Sequence, residues 1–390
     1  MPHERDEEVF GMADEGTIGL LGVESFEYYV HELDRSRRFY TEMMDFAEVA
    51  ATPTGDIRNL GEASVVFNAG EITVVCTSPR SDACAAREFL SRHPDGIGRI
   101  TFQVEDAERA FRTLEARGGT PRTRVLEGEG MAYFDLVTPF GDTLFRFLER
   151  RGSKSPGPGI QVYDRPTGGR NRMGFHRVDH ITSNFMTMSP ALLWMEHVMG
   201  LQQFWDVEFH TTDVSEEQDK GSGLRSVVMH DPASKVKFAN NEPWRPFFEQ
   251  SQIYVFNREL GGDGVQHLAL TVGDIIPAVR ELRSRGVQFM PTPGSYYDML
   301  PRRLEELGIG SIEEDIAVLR ELEVLVDGAG KNSYLLQIFL KESAGLYGDP
   351  KAGPFFYEVI QRKGDEGFGA GNFRALFESI EREQQASGKV

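Results

Sequence analysis

The chain has 390 residues, 40% of them hydrophobic, which is enough to bury two cores. Its 42 basic and 61 acidic residues leave a net charge of −19, so long-range repulsion opposes a nucleic-acid backbone or an anionic membrane surface as partner. Cys76 and Cys84 are too few for a disulfide framework, no apolar run is long enough to cross a bilayer, and the acidic start Met1–Glu8 lacks the features of a secretory signal; a cytoplasmic protein is expected.

Residues 1–21 read as an N-terminal extension. Val23-Glu24-Ser25-Phe26 then opens an alternating, strand-like segment, and Asp34–Phe46 follows with apolar residues at helical spacing. Asp95–Val104 reads as a further strand, the helix after it ends in Arg117-Gly118, and Phe145–Gly152 closes the unit. Glycine, proline and serine in Arg151–Gly159 and Thr167–Arg170 predict an exposed connection over 151–173.

The order then restarts. Val178-Asp179-His180-Ile181 is strand-like, Ala191–Gly200 is helical, Asp263–Val272 lines up with Asp95–Val104, and Arg285-Gly286 ends the next helix. Tyr357–Gly364 matches Phe145–Gly152 without a gap. An insertion from Thr292 to about Lys331 lengthens this copy and contains a predicted helix over 312–323. Near the end, Phe373, Leu376, Phe377 and Ile380 fall on one face of a helix that must pack on something. Strand, helix and several strands, twice over, argue for an α+β chain of two units, 22–150 and 174–390, each a curved sheet with helices on its outer face.

The two copies differ where it matters most. His180, His267 and Glu358 stand at positions held by Ser25, Arg99 and Arg146 in the first copy. Strand alternation sets His267 on one face with Val265 and Ala269. Taken singly, each histidine could be a core residue bonded to a carbonyl, and Glu358 could pair with an arginine. Together they lie on equivalent strands of one sheet, and a carboxylate in an apolar row is costly unless paired or metal-bound. A shared ion explains all three. Two imidazoles and one carboxylate leave coordination positions open, which suits non-haem Fe(II) chemistry with oxygen. Zinc accepts the same ligands, so the ligand set does not name the reaction.

Eight segments, in order, carry a resemblance: Val178-Asp-His180, Gly223-Leu-Arg-Ser226, Asn241-Glu-Pro243, Ser251-Gln-Ile253, Gly264-Val-Gln-His267, Leu335-Leu-Gln-Ile-Phe339, Phe356–Arg362 and Gly367–Phe373. From about Val23 to Gln385 the chain resembles the 4-hydroxyphenylpyruvate dioxygenases of the vicinal oxygen chelate superfamily. The resemblance implies two tandem domains of βαβββ repeats, the first degenerate and metal-free. The second would be an open barrel holding the metal, closed by a C-terminal gating helix over 372–386.

It also implies one Fe(II) per chain on His180, His267 and Glu358, with no organic cofactor. Phe368 and Phe373 would sandwich the substrate ring. Ser226, Asn241, Gln252, Gln266 and Gln337 would supply polar contacts, and Phe339, Asn372 and Phe377 would complete the pocket. The implied reaction takes 4-hydroxyphenylpyruvate and O2 to homogentisate and CO2 in tyrosine catabolism, in a homodimer or homotetramer. A keto acid can chelate iron through its keto oxygen and carboxylate, while its phenol needs neutral donors and acceptors in an apolar slot.

The chain departs from the family at Ala239-Asn240, at Tyr254 and in Trp244–Phe248, all bearing on substrate preference. Two alternatives are a 4-hydroxymandelate synthase, against which Phe373 speaks, and a non-catalytic binding module of the same fold, against which the complete triad speaks.

Overall fold

The computed structural model describes residues 17–53, 61–210, 223–244, 249, 251–369 and 371–372. Alternating apolar and polar residues build two curved sheets. The first contains β1 (Leu20–Tyr29), β2 (Ala47–Ala51), β3 (Glu62–Ala69), β4 (Ile72–Pro79), β5 (Gly96–Val104), β6 (Thr120–Pro121), β7 (Leu126–Gly128), β8 (Met131–Val137), β9 (Leu144–Arg150) and β10 (Gln161–Gly168). The second contains β11 (Phe175–Asn184), β12 (Gln202–His210), β13 (Gly223–His230), β14 (Lys237–Pro243), β15 (Gly264–Val272), β16 (Leu325–Asp327), β17 (Tyr334–Phe339) and β18 (Phe356–Lys363).

The strand orders are the same once two additions to the first sheet are set aside. β10-β2-β3-β4-β1-β5-β9-β8-β6, with β7 on β8, matches β12-β13-β14-β11-β15-β18-β17-β16 when β10 and β7 are removed. In each sheet two antiparallel central strands, β1 with β5 and β11 with β15, have parallel neighbours on both sides. Each half of a sheet is thus a βαβββ unit. The second sheet is a half-barrel with β12 and β16 as its edges.

Pairing registers agree with the sequence repeat residue by residue. Ser25 lies opposite Thr101 and Thr101 opposite Arg146, just as His180 lies opposite Ala269 and Ala269 opposite Glu358. Glu27 faces Arg99 where Thr182 faces His267.

The faces turned away from these residues share one core. Phe26, Ile100, Phe102 and Phe145 of the first half cluster with Ile181, Phe238, Leu268 and Tyr357 of the second. Phe238 lies 5.8 Å from Phe145 and 6.3 Å from Phe102, ring centre to ring centre. Tyr357 reaches into the first half, its hydroxyl 2.8 Å from that of Tyr40 and 3.2 Å from that of Tyr28.

Two local expectations need correction. The stretch predicted as a connection contains β10, an exposed strand paired with β2. The helix predicted over 312–323 runs only over Ile316–Leu322. The Asp315 carboxylate accepts from the Ala317 N–H at 2.8 Å and fixes its start, and Glu323 ends it in a left-handed conformation. The expected C-terminal helix over 372–386, with Phe373 and Phe377, lies outside the described residues apart from Asn372.

Candidate metal centre

Strand alternation and register deliver the triad to one face of the second sheet. His180 comes from β11, His267 from β15 and Glu358 from β18, and all three are buried, with 1–2% exposure. Their ligand atoms lie within 4.8 Å of one another, a grouping able to hold a metal ion. Glu358 Oε2 is 3.4 Å from Nε2 of His180 and 3.4 Å from Nε2 of His267.

The outer nitrogens are turned to acceptors. His180 Nδ1 lies 2.9 Å from Asp179 Oδ1, and His267 Nδ1 lies 3.2 Å from Gln266 Oε1. A neutral imidazole that donates from Nδ1 turns its Nε2 lone pair inward. Two lone pairs and a carboxylate oxygen then converge in a buried site, an arrangement that suits a cation.

Electrostatics agree. Burial works against a charged His180, but Glu358 and Asp179 outweigh it and hold its pKa above the usual histidine value. For His267, burial prevails over Glu358 and holds the pKa below that value. Burial alone would raise Glu358, yet the two histidines draw it down to about 2. The carboxylate stays ionised, and a metal would take the place of the proton that His180 otherwise attracts.

A chain of amides supports Glu358 from behind. Gln337 Nε2 donates to Glu358 Oε1 at 2.8 Å, Asn372 Nδ2 donates to Gln337 Oε1 at 3.0 Å, and the Tyr296 hydroxyl lies 2.9 Å from Asn372 Oδ1. Gly369 is required beside this chain: its φ is +67°, and a Cβ there would stand 2.5 Å from Gln337 Oε1.

Aromatic rings flank the group. Phe368 lies 4.9 Å from His180 and stacks on Trp205 at 5.8 Å, while Phe356 stacks on His267 at 4.8 Å and Phe339 lies 6.1 Å from it. Further along the same face, Ser226 of β13 is paired in register with Asn241 of β14, and Asn241 Nδ2 donates to Asn184 Oδ1 at 3.1 Å. Ser226 Oγ and Asn241 Oδ1 are buried without a hydrogen-bond partner among the described residues. Such atoms are costly unless a ligand or water meets them.

Of the residues singled out from sequence, His180, His267, Glu358, Gln266, Gln337, Phe339, Phe368 and Asn372 therefore meet in one neighbourhood. Ser226 and Asn241 sit farther along its face. Gln252 is buried in the first turn of the helix Gln252–Leu260, which Ser251 caps through the Ile253 N–H. Phe373 and Phe377 lie outside the described residues. Asp179, Asn184, Trp205, Tyr296 and Phe356 were given no role from the sequence. Asp179 alone gave a signal, as an acid directly before a candidate ligand.

Comparison with known proteins decides the family. The sequence profile of the Glyoxalase/Bleomycin resistance protein/Dioxygenase superfamily matches residues 22–143 and 177–299. A 4-hydroxyphenylpyruvate dioxygenase of Dictyostelium discoideum is 32% identical over 382 residues, covering 95% of this chain and 100% of that one. A 4-hydroxyphenylpyruvate dioxygenase of Caenorhabditis briggsae is 37% identical over 313 residues, 78% of this chain and 76% of that one. The chain belongs to the 4-hydroxyphenylpyruvate dioxygenase family. Among solved structures, a triple mutant of 4-hydroxymandelate synthase from Streptomyces coelicolor superposes with a TM-score of 0.77 at 26% identity, over 94% of this chain and 99% of that one.

Both copies of this 4-hydroxyphenylpyruvate dioxygenase family member match the superfamily, yet within them only the second has the triad. In the first, Arg99 pairs with Glu27, and Arg146 clamps Asp135 through Nε at 2.7 Å and Nη2 at 2.8 Å. Guanidinium groups supply the positive charge there.

Proposed function

We propose that this chain converts 4-hydroxyphenylpyruvate and O2 to homogentisate and CO2, using one Fe(II) held by His180 Nε2, His267 Nε2 and Glu358 Oε2. The observation that carries the reading is the buried triad, with both imidazoles oriented from behind, in a chain about a third identical to dioxygenases of that name along nearly its whole length. Bound Fe(II) with two imidazoles and one carboxylate would supply electron transfer to oxygen and a seat for a chelating keto acid.

The residues around the triad suit that substrate. With neutral histidines, Glu358 and Asp179 against Arg362 leave one net negative charge, so a divalent ion makes the site positive by one. That complements a keto-acid carboxylate without an arginine clamp. Phe368 and Phe339 offer flat walls for the ring. Ser226 Oγ and Asn241 Oδ1 can bond the phenol hydroxyl without adding charge, and Gln337 holds Glu358 in one orientation. Gln266 keeps His267 oriented, and Gln252 and Asn372 complete the proposed pocket, to which family resemblance adds Phe373 as the second ring of the sandwich and Phe377. In this reading residues 22–150 support and residues 174–390 react, in a cytoplasmic homodimer or homotetramer.

The structural likeness to a 4-hydroxymandelate synthase supports a second reading, oxidation of the benzylic carbon of the same substrate. One experiment separates the two. Protein loaded anaerobically with Fe(II) is given 4-hydroxyphenylpyruvate, oxygen uptake is followed and the products are chromatographed. Homogentisate is the expected product; hydroxymandelate would transfer the proposal to the second reading, and no uptake would overturn both.

A further inference from the structure

Arg362 ties two parts of the site together. Its Nε and Nη2 donate to Asp179 Oδ2 and Oδ1 at 2.7 and 2.6 Å, and Asp179 Oδ1 also accepts from His180 Nδ1 at 2.9 Å. Its remaining nitrogen, Nη1, donates to the backbone carbonyls of Asp365 and Gly367, both at 2.8 Å. Phe368 follows directly and lies 4.9 Å from the His180 ring. The Arg362 side chain is 10% exposed and that of Asp179 2%, so these bonds form largely out of water, where a fork of charge-assisted bonds is strongest.

The first copy has the same clasp without an imidazole. Arg150 aligns with Arg362 and Glu24 with Asp179. Arg150 Nη2 pairs with Glu24, and its Nη1 donates to the carbonyls of Ser153 at 3.0 Å and Ser155 at 2.8 Å, the same three- and five-residue offsets. Holding the end of this strand to the loop after it is thus a property of the fold. The second copy differs in two neighbouring places: the acid is Asp179, one methylene shorter, and the next residue is His180 where the first copy has Ser25.

We propose that Arg362 and Asp179 are positioning residues that convert this inherited clasp into a link between the metal and the substrate ring. One carboxylate fixes the tautomer and rotation of His180, and one guanidinium holds that carboxylate and the loop placing Phe368 in register. Loss of the guanidinium loosens both at once. A carboxylate behind a ligating histidine is a general determinant of metal affinity; what is particular here is that its counter-ion also sets the aromatic wall.

This rests on the metal reading of the triad, and the test keeps the two apart. The full chain and the variants Arg362→Lys, Asp179→Glu, Asp179→Asn and Arg150→Lys are titrated with Co(II), the visible spectrum and thermal midpoint are recorded, and KM and kcat are measured on the Fe(II) form. Arg362→Lys, Asp179→Glu and Asp179→Asn are expected to weaken Co(II) binding roughly 10–100-fold and to shift the Co(II) bands, and Arg362→Lys also raises KM. Arg150→Lys lowers the midpoint but leaves affinity and bands unchanged. Asp179→Asn, nearly the same shape, covers the case in which Arg362→Lys does not fold. Parent-like affinity and bands in the Asp179 variants would overturn the proposal, as would an equal loss in Arg150→Lys. A parent chain that takes up no Co(II) would sink the metal reading as well.

Discussion

Gln337 Nε2 donates to one oxygen of Glu358 at 2.8 Å, while the other oxygen stands 3.4 Å from Nε2 of both His180 and His267. The amide therefore decides which carboxylate oxygen faces the imidazoles. Gln337→Leu keeps most of the volume and removes that choice. Metal affinity, read by chelator competition, is expected to fall roughly 10–100-fold with the thermal midpoint little changed. Gln337→Glu should be worse at acidic pH, because a second carboxylate beside Glu358 raises its pKa. An unchanged affinity in both variants would remove Gln337 from the site.

Glu358→Gln tests the triad itself. The amide fits the same space but supplies no charge, leaving two neutral imidazoles for a divalent cation. Metal content by elemental analysis should drop from one per chain to background, and homogentisate formation with it. Stoichiometric metal in this variant would place the ion elsewhere.

Phe368 stacks on Trp205 and meets the edge of His180 without donating to the metal group. Phe368→Leu should remove about 0.5–1.5 kcal/mol of ring contact, which corresponds to a rise in substrate KM of up to roughly tenfold. Metal content should not change. A loss of metal without a change in KM would show that the ring serves the ligands and not the substrate.

Asp135 in the first half predicts how the protein responds to acid. Burial alone would raise its pKa, but Arg146 and Arg99 outweigh it and lower the value from 3.8 to about 2. A group depressed in the folded state stabilises it fully above the unfolded value and progressively less as pH falls from about 4 through 2. The shift corresponds to roughly 2–3 kcal/mol. Asp135→Asn should abolish this part of the acid sensitivity. It should also cost about 3–5 kcal/mol at neutral pH, by leaving Arg146 without its carboxylate. Urea unfolding at pH 7, 5 and 3 checks both effects, and parallel stability curves for the two proteins would refute the assignment.

How much of this was legible in the sequence depended on distance along the chain. The correspondence between the two sheets was, because Phe145–Gly152 aligns with Tyr357–Gly364 without a gap; their pairing registers, broken by bulges such as the one at Thr182/Ser183, were not. The triad emerged by contrast with Ser25, Arg99 and Arg146. The clasp did not, since Arg362 meets Asp179 across 183 residues and nothing local announces such a pair. β10 was hidden by a glycine- and proline-rich composition that suits a connection, although its backbone pairs with β2. The start of the helix at Ile316 was set by one capping carboxylate, which periodicity does not report.

Tyr357 and Glu358 are neighbours that look in opposite directions, one toward the hydroxyls of Tyr28 and Tyr40 and the other toward two imidazoles. The strand bearing the proposed carboxylate ligand is therefore a party wall, with the first copy as the dry room behind it. Separating the halves would bring water to the back of that wall, against the Tyr28, Tyr40 and Tyr357 hydroxyls and the apolar core that the two sheets share.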